Sequence, residues 1–219
     1  MKRIKYVPYV LLGVFIIFLT IFYHREDDIY AVIGSSLYYM LIYTPIYLYI
    51  VSCEVKENFC EMIILRRASK IKNTYHYIKK IIKVSVLYSI TFSITVLVSL
   101  CVLKQMDHIF PFIGIVFVAN MVGWSFIGSV YYLVFSLKNQ VVALIITWTY
   151  CVFMALSNGV LFRLGKYIYN VFNVMMMSDG THYEEKLLKM LLTVILTYLI
   201  FGMILLLHKK HDVLRKEIV

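Results

Sequence analysis

The stretch His108–Leu137, HIFPFIGIVFVANMVGWSFIGSVYYLVFSL, runs for 30 residues without an Asp, Glu, Lys or Arg. About 20 apolar residues in a helix are enough to cross ~30 Å of hydrocarbon. Buried helices of soluble proteins seldom remain uncharged over such a length. This stretch therefore indicates an all-α membrane protein rather than a soluble domain.

Five further uncharged stretches have about the same length. They are Tyr6–His24, Ile29–Cys53, Val84–Leu103, Asn139–Phe162 and Met190–His208. The first follows the basic start Met1-Lys2-Arg3-Ile4-Lys5, as in a signal peptide, but no small-x-small cleavage site follows it. We therefore expect one polytopic transmembrane domain, residues 1–219, with six transmembrane helices at about 6–24, 29–53, 84–103, 108–137, 139–162 and 190–208.

The composition agrees with this class. Apolar residues make up 62% of the 219 residues and charged residues 16%, and the mean hydropathy is +0.81. A disordered chain has low hydrophobicity, and an ordinary soluble enzyme carries more charge. The 22 Lys and Arg against 12 Asp and Glu leave a net charge of +10, which by itself would also suit nucleic-acid binding.

The basic residues are divided unequally between the two sides of the expected topology. The side that holds both termini, 54–83 and the link around Lys138 has 16 basic and 5 acidic residues, and the other side has 6 and 7. Cytoplasmic loops are enriched in Lys and Arg. We therefore expect a multi-pass protein of the plasma membrane with both termini in the cytoplasm, whose positive charge reflects insertion and not nucleic-acid binding.

The spans lack the groups that intramembrane chemistry requires. No span interior contains an ionisable Asp, Glu, Lys or Arg, and all six histidines lie at span edges or in loops. The segment Gly123–Ser129 has the glycine spacing of a phosphate-binding loop but lacks its lysine; we interpret its small residues as a surface for close helix packing. We expect no enzymatic activity, no metal site and no cofactor in this chain.

The segment 54–83 between the second and third spans is amphipathic and basic. It begins Glu54-Val55-Lys56-Glu57-Asn58-Phe59-Cys60-Glu61, and Ser69 is suited to cap a second helix from about Lys70 that runs into the third span. Two interpretations follow. Such a segment lies on anionic lipid, or it docks to a protein in the cytoplasm.

The layout of the chain resembles the type-2 ABC exporter membrane subunits (ABC-2 permeases), and most of all the short bacterial permeases for peptide, bacteriocin-immunity and antibiotic export. The likeness rests on the six spans, the charged hairpin after the second, and a re-entrant or interfacial outer segment, 163–189, between the fifth and sixth. Within the hairpin, Met62-Ile63-Ile64-Leu65-Arg66-Arg67-Ala68-Ser69-Lys70 fits the apolar-Arg-x-x-Ser-basic pattern of that family. The glycine commonly found two residues after the acidic residue in that family is absent here, where Phe59 or Cys60 stands.

The resemblance implies a coupling helix that transmits the closure of two cytoplasmic ATPase subunits, which would bind ATP and Mg in their own chains. The expected coupling residues are Glu57, Glu61, Arg66, Arg67 and Ser69. The resemblance also implies a second membrane half, either an identical chain or a paralogue, in contact with membrane lipid and with an amphipathic substrate.

A stripe of small residues repeats every fourth position on the fifth span. Its members are Ala143, Thr147, Cys151, Ala155 and Gly159. Small residues allow close backbone approach in lipid, so the stripe packs either within its own subunit or against the second half. The family's fifth helix contributes to the subunit contact, which favours a subunit interface.

A row of tyrosines lies in the middle of the second span. Tyr39, Tyr43 and Tyr47 share one helical face, Pro45 is expected to bend the helix, and Asn120 and Trp124 are one turn apart in the fourth span. Buried hydroxyls need partners or a wet cavity. These five side chains therefore either form hydrogen bonds between helices or line a substrate path.

The sequence thus predicts the permease subunit of an ATP-driven exporter for an amphipathic peptide, antibiotic or lipid. The alternative is a stand-alone membrane binding, immunity or regulatory protein without ATP coupling.

Overall fold

The computed structural model describes residues 6–22, 30–64, 70–103, 109–159, 170–176 and 183–217, which are helical with short connections and contain no strand. The fold class is therefore all-α. The helices within these ranges are α1 (Val7–Phe22), α2 (Tyr30–Ile33), α3 (Ser36–Tyr38), α4 (Thr44–Ile64), α5 (Lys70–Val102), α6 (Ile109–Leu137), α7 (Gln140–Gly159), α8 (Val171–Met175) and α9 (Tyr183–Glu217).

Five helical segments in the described ranges are long and apolar enough to cross a membrane. They are Ser36–Val55, Thr74–Val102, Pro111–Leu137, Gln140–Ser157 and Glu184–Lys209. The helix α1 is apolar but has only 16 residues, about 24 Å at 1.5 Å per residue. The described part of α1 is thus shorter than the ~30 Å hydrocarbon thickness.

The second expected span is interrupted near its start. The helix α2 ends at Ile33, Gly34 and Ser35 are non-helical, and α3 continues through a π-helical turn, Tyr39–Tyr43, into α4. The N–H of Thr44 bonds the carbonyl of Tyr39, five residues back. Pro45 next in the chain has no N–H to donate, so the wide turn before it takes the place of a regular one. A π-turn thus precedes Pro45, and the bend at Pro45 stays a prediction.

The helix of the second expected span continues into the segment 54–83. The helix α4 passes through Cys53, the expected span end, and stops at Ile64. No Gly or Pro between Cys53 and Ile64 breaks it. The second helix is described from Lys70, the predicted start, and continues unbroken to Val102.

Neighbouring long helices alternate in direction. The Thr74 hydroxyl near the start of α5 lies 2.5 Å from Nδ1 of His208 near the end of α9, and the rings of Tyr77 and Tyr132 join the start of α5 to the end of α6 at 5.2 Å. We call this side of the bundle the basic end. Its described side chains include Lys79, Lys80, Lys83, Lys138 and Lys209.

Burial separates the central helices from the peripheral ones. Slightly more than half of the span residues of α5 and α6 are buried, 56% in each, against 22% in α9. The outward face of α9 is apolar and carries Leu187, Leu191 and Tyr198. Such a face suits contact with hydrocarbon, while α5 and α6 form the core of the bundle.

Candidate functional site

An aromatic cluster lies at the centre of the bundle and includes all the aromatic residues of the predicted substrate path. Its members, all fully buried, are Tyr39, Tyr43, Tyr47, Tyr88, Phe92, Trp124 and Phe172. The Trp124 ring lies 4.8 Å from that of Tyr47, 5.0 Å from that of Tyr88 and 6.1 Å from that of Tyr39. These separations are those of rings in direct contact.

The tyrosine hydroxyls of the cluster bond to the backbone of other elements. Tyr47 donates to the Trp124 carbonyl at 2.7 Å and lies 2.9 Å from Ser85 Oγ. Tyr88 donates to the Tyr43 carbonyl at 2.7 Å, and Tyr43 donates to a carbonyl of α2 at 3.3 Å. These are the hydrogen bonds between helices that the sequence offered as one interpretation of the tyrosine row. Its role as a substrate path stays a prediction.

The polar pair at one edge of the cluster connects it to α8. The Tyr39 hydroxyl lies 3.3 Å from both Asn120 Oδ1 and the Met175 carbonyl oxygen, either of which accepts its proton. Asn120 in turn donates from Nδ2 to the Val116 carbonyl of its own helix at 3.0 Å. Asn120 and Tyr39 therefore join α6, the π-turn and α8.

The short helix α8 is inserted into the bundle. Val171, Phe172, Val174 and Met175 have 0% exposed surface, and the Phe172 ring lies 5.7 Å from that of Tyr39. The apolar side chains of this part of the outer segment are therefore buried within the bundle.

Both ends of α8 are fixed by side chains. The Asn170 side chain accepts from the Phe172 N–H at 2.9 Å and donates to the Met154 carbonyl at 2.7 Å and to Ser157 Oγ at 3.0 Å. At the other end, Lys186, which is only 3% exposed, donates to the Met176 carbonyl. Such caps satisfy backbone groups that a five-residue helix leaves open.

Two glycines of α6 make this packing possible. A Cβ at Gly123 would overlap the side chain of Met175, and a Cβ at Gly128 would lie 2.5 Å from the Tyr47 hydroxyl and 2.6 Å from a methyl group of Ile81. Both positions allow close approach, as their small size predicted. Gly123 is the fifteenth of the 29 residues of α6, so Met175 reaches the middle of that helix.

The stripe of small residues on α7 faces the interior of its own chain. Ala143, Thr147 and Cys151 have no exposed surface and Ala155 has 5%; Gly159 is the last residue of α7. Packing within the same subunit, one of the two interpretations from the sequence, describes this arrangement. A further role of the stripe in a subunit interface stays a prediction.

The expected ATPase-coupling residues fall outside what the structure describes. This holds for the side chains of Glu57 and Glu61 and for Arg66, Arg67 and Ser69. Next to them, Glu54 of α4 and Lys80 of α5 form an ion pair at 3.8 Å. The pair borders a small pocket between the two helices, of about 10 Å³, which is room for one water molecule.

Several residues of the central site were not singled out from the sequence. They are Tyr88, Phe92, Asn170 and Lys186. Asn170 before the apolar run Val171-Phe172 is a capping signal that the sequence does contain. The position of α8 against Gly123 has no local signal, because the two lie about 50 residues apart.

The site is therefore an aromatic and hydrogen-bonded centre in a helical bundle that has the features of a membrane protein. Among the described residues, no group of three or more His, Cys, Asp or Glu side chains is placed to hold a metal ion. The chain matches no protein-family model, no curated protein and no solved structure.

Proposed function

We propose that this chain is the membrane-spanning subunit of an ATP-driven exporter of ABC-2 type that moves an amphipathic substrate. In this proposal α1 is a sixth span, α8 is a re-entrant segment, and both termini lie in the cytoplasm of a bacterial cell. Two separate ATPase chains bind and hydrolyse ATP with Mg. A second membrane half, identical or paralogous, completes the transporter.

The observation that carries the proposal is the helical hairpin at the basic end. The helix α4 continues for nine residues past Val55, the end of its span segment, which is about 13 Å at 1.5 Å per residue. The helix α5 begins at Lys70, four residues before its span segment at Thr74. A motor that pulled on this hairpin would move α4 and α5 directly, because each is one unbroken helix into the bundle.

The distribution of charge supports the proposed orientation. The end of the bundle where α4 ends and α5 begins is also where the described lysines Lys79, Lys80, Lys83, Lys138 and Lys209 gather. Helices that alternate in direction keep these segments on one side, and the side richer in Lys and Arg is retained in the cytoplasm. A cytoplasmic ATPase would then meet the hairpin.

The alternative of a stand-alone membrane binding or immunity protein is favoured by a different observation. The aromatic cluster is fully buried and its hydroxyls bond to helix carbonyls. A rigid, filled centre suits a protein that holds a partner at its surface without an ATP-driven cycle.

Co-purification separates the two functions. The chain would be expressed with the ATPase encoded next to it, and wild type, Glu57→Lys and Arg66→Glu would be compared, with Glu184→Lys as a charge-reversal control at the opposite end of the bundle. We expect wild type and the control to retain the ATPase, and both hairpin variants to lose most of it. Unchanged recovery and ATPase activity in both hairpin variants would contradict coupling through this segment.

A further inference from the structure

The seat of α8 is built to hold a peptide. We define the seat as the surface formed by Tyr39, Gly123 and Lys186, which contact α8, together with Asn120 and Trp124, which contact Tyr39. Its occupant, Asn-Val-Phe-Asn-Val-Met-Met at 170–176, is a short apolar peptide with its Val, Phe and Met175 side chains buried.

The seat binds its occupant partly through groups that every peptide has. Tyr39 lies within hydrogen-bond distance of the Met175 carbonyl oxygen at 3.3 Å, and Lys186 donates to the Met176 carbonyl. These two donors bond to main-chain carbonyls, which every peptide has, and do not depend on a particular side chain. The groove above Gly123, which a Cβ would fill, accepts one long apolar side chain.

One donor of the seat has no partner in the described structure. The Nε1 of Trp124 is buried without a hydrogen bond, although Trp124 has 0% exposed surface and stacks on Tyr39 at 6.1 Å. A buried N–H without an acceptor is costly. Trp124 thus borders the seat through Tyr39, and its Nε1 makes no hydrogen bond to α8.

We propose that the seat is the cargo-binding site, that α8 fills it as a tethered internal ligand, and that the cargo is a short apolar peptide segment. The assignment of the bound peptide as cargo rests on the proposed function. The cargo and α8 exclude each other, because both need the groove above Gly123 and the donors of Tyr39 and Lys186. The apparent affinity for cargo is then reduced by the fraction of molecules in which α8 occupies the seat.

The chain provides its own reporter for this exclusion. Trp124 and Trp148 are its two tryptophans, and Trp148 lies on the outside of the bundle with 43% exposed surface. Trp148→Phe leaves Trp124 as the single fluorophore in the wall of the seat. A dansyl-labelled peptide with the sequence of 170–176 would accept energy from Trp124 when bound there.

The test compares the full-length Trp148→Phe protein in nanodiscs with the same protein carrying Asn170→Ala. The substitution removes the cap and the bonds to the Met154 carbonyl and Ser157, so it releases α8. We expect saturable energy transfer in the released variant with an apparent Kd at least about tenfold lower than in the parent. Adding Tyr39→Phe to the released variant should weaken binding about three- to tenfold, because one carbonyl loses its donor.

A peptide with Asp in place of Phe is the matched control and should not bind. Circular dichroism checks the helix content, and Phe172→Ala, which removes the ring of α8 that contacts Tyr39 and leaves the seat unchanged, replaces Asn170→Ala if that variant does not fold. Equal affinity in parent and released variants, or no saturable transfer in any folded variant, would overturn the inference. ATPase co-purification on the same samples separates the two proposals. ATPase recovery without peptide binding contradicts this inference alone. Peptide binding without the ATPase contradicts the exporter, and with it the cargo role, but leaves the peptide-binding seat.

Discussion

The aromatic cluster and the basic end use their polar groups in opposite ways. In the cluster, Tyr47 and Tyr88 have no exposed surface and direct their hydroxyls to carbonyls of the same chain. At the basic end, Glu54 and Lys80 keep 28% and 29% of their side-chain surfaces exposed and meet at 3.8 Å. The polar groups of the cluster form hydrogen bonds within the chain, and the charged groups of the basic end stay partly exposed to solvent.

This difference indicates which region stabilises the bundle and which one is available to a partner. A buried hydrogen bond contributes about 0.5–1.5 kcal/mol and costs more when one partner is removed. An exposed ion pair contributes about 0–1 kcal/mol. Substitutions in the centre should therefore change stability, while substitutions at the basic end should change association and leave stability nearly intact.

The largest effect is expected at Gly123. In Gly123→Leu the new side chain must occupy the space of Met175, so either α8 leaves its seat or α6 shifts. Overpacking of this kind costs about 1–3 kcal/mol. The measurement is the thermal unfolding midpoint in detergent.

The matched control is Gly202→Leu on α9. A Cβ at Gly202 meets nothing within 4 Å, and leucine is a better helix former than glycine. We expect no loss of thermal stability there. Equal losses at both glycines would mean that the centre is no more tightly packed than the periphery, which would break the comparison.

A smaller effect is expected from removing one hydroxyl of the cluster. Tyr47→Phe leaves the Trp124 carbonyl without its donor and Ser85 without a neighbour at 2.9 Å. The expected cost is about 0.6–2 kcal/mol, since hydrogen bonds between membrane helices average near the lower figure. Tyr198→Phe, at a residue 78% exposed, is the control and should have no effect on thermal unfolding. If the two variants melt alike, the hydroxyls of the cluster do not hold the helices together.

The sequence predicted the parts of the fold that depend on local composition. The uncharged run 108–137 corresponds to α6, and the start at Lys70 was predicted from Ser69 as a cap. The end of α4 was not predicted. The change from apolar to charged residues at Glu54 marks the edge of a span, but it does not break a helix.

The candidate site also has parts that the sequence predicted and parts that it did not. Helical periodicity placed Tyr39, Tyr43 and Tyr47 on one face, and the fold then brought them to Trp124. The outer segment 163–189 was expected to be re-entrant or interfacial, but no periodicity reveals that α8 packs above Gly123, since that depends on tertiary packing. The small-residue face of α7 could be read from the sequence, but what covers it depends on tertiary packing.

The smallest effect on stability is expected at the ion pair of the basic end. In a double-mutant cycle of Glu54→Gln and Lys80→Gln, the coupling energy should be about 0.2–1 kcal/mol and should fall with added salt. The same variants should reduce the amount of ATPase that co-purifies and leave the unfolding midpoint nearly unchanged, because their positions adjoin the proposed coupling hairpin. A coupling energy above about 2 kcal/mol, beyond the range of exposed pairs, would show that Glu54 and Lys80 stabilise the fold. The charges of the basic end would then have a structural role, as the hydroxyls of the cluster do.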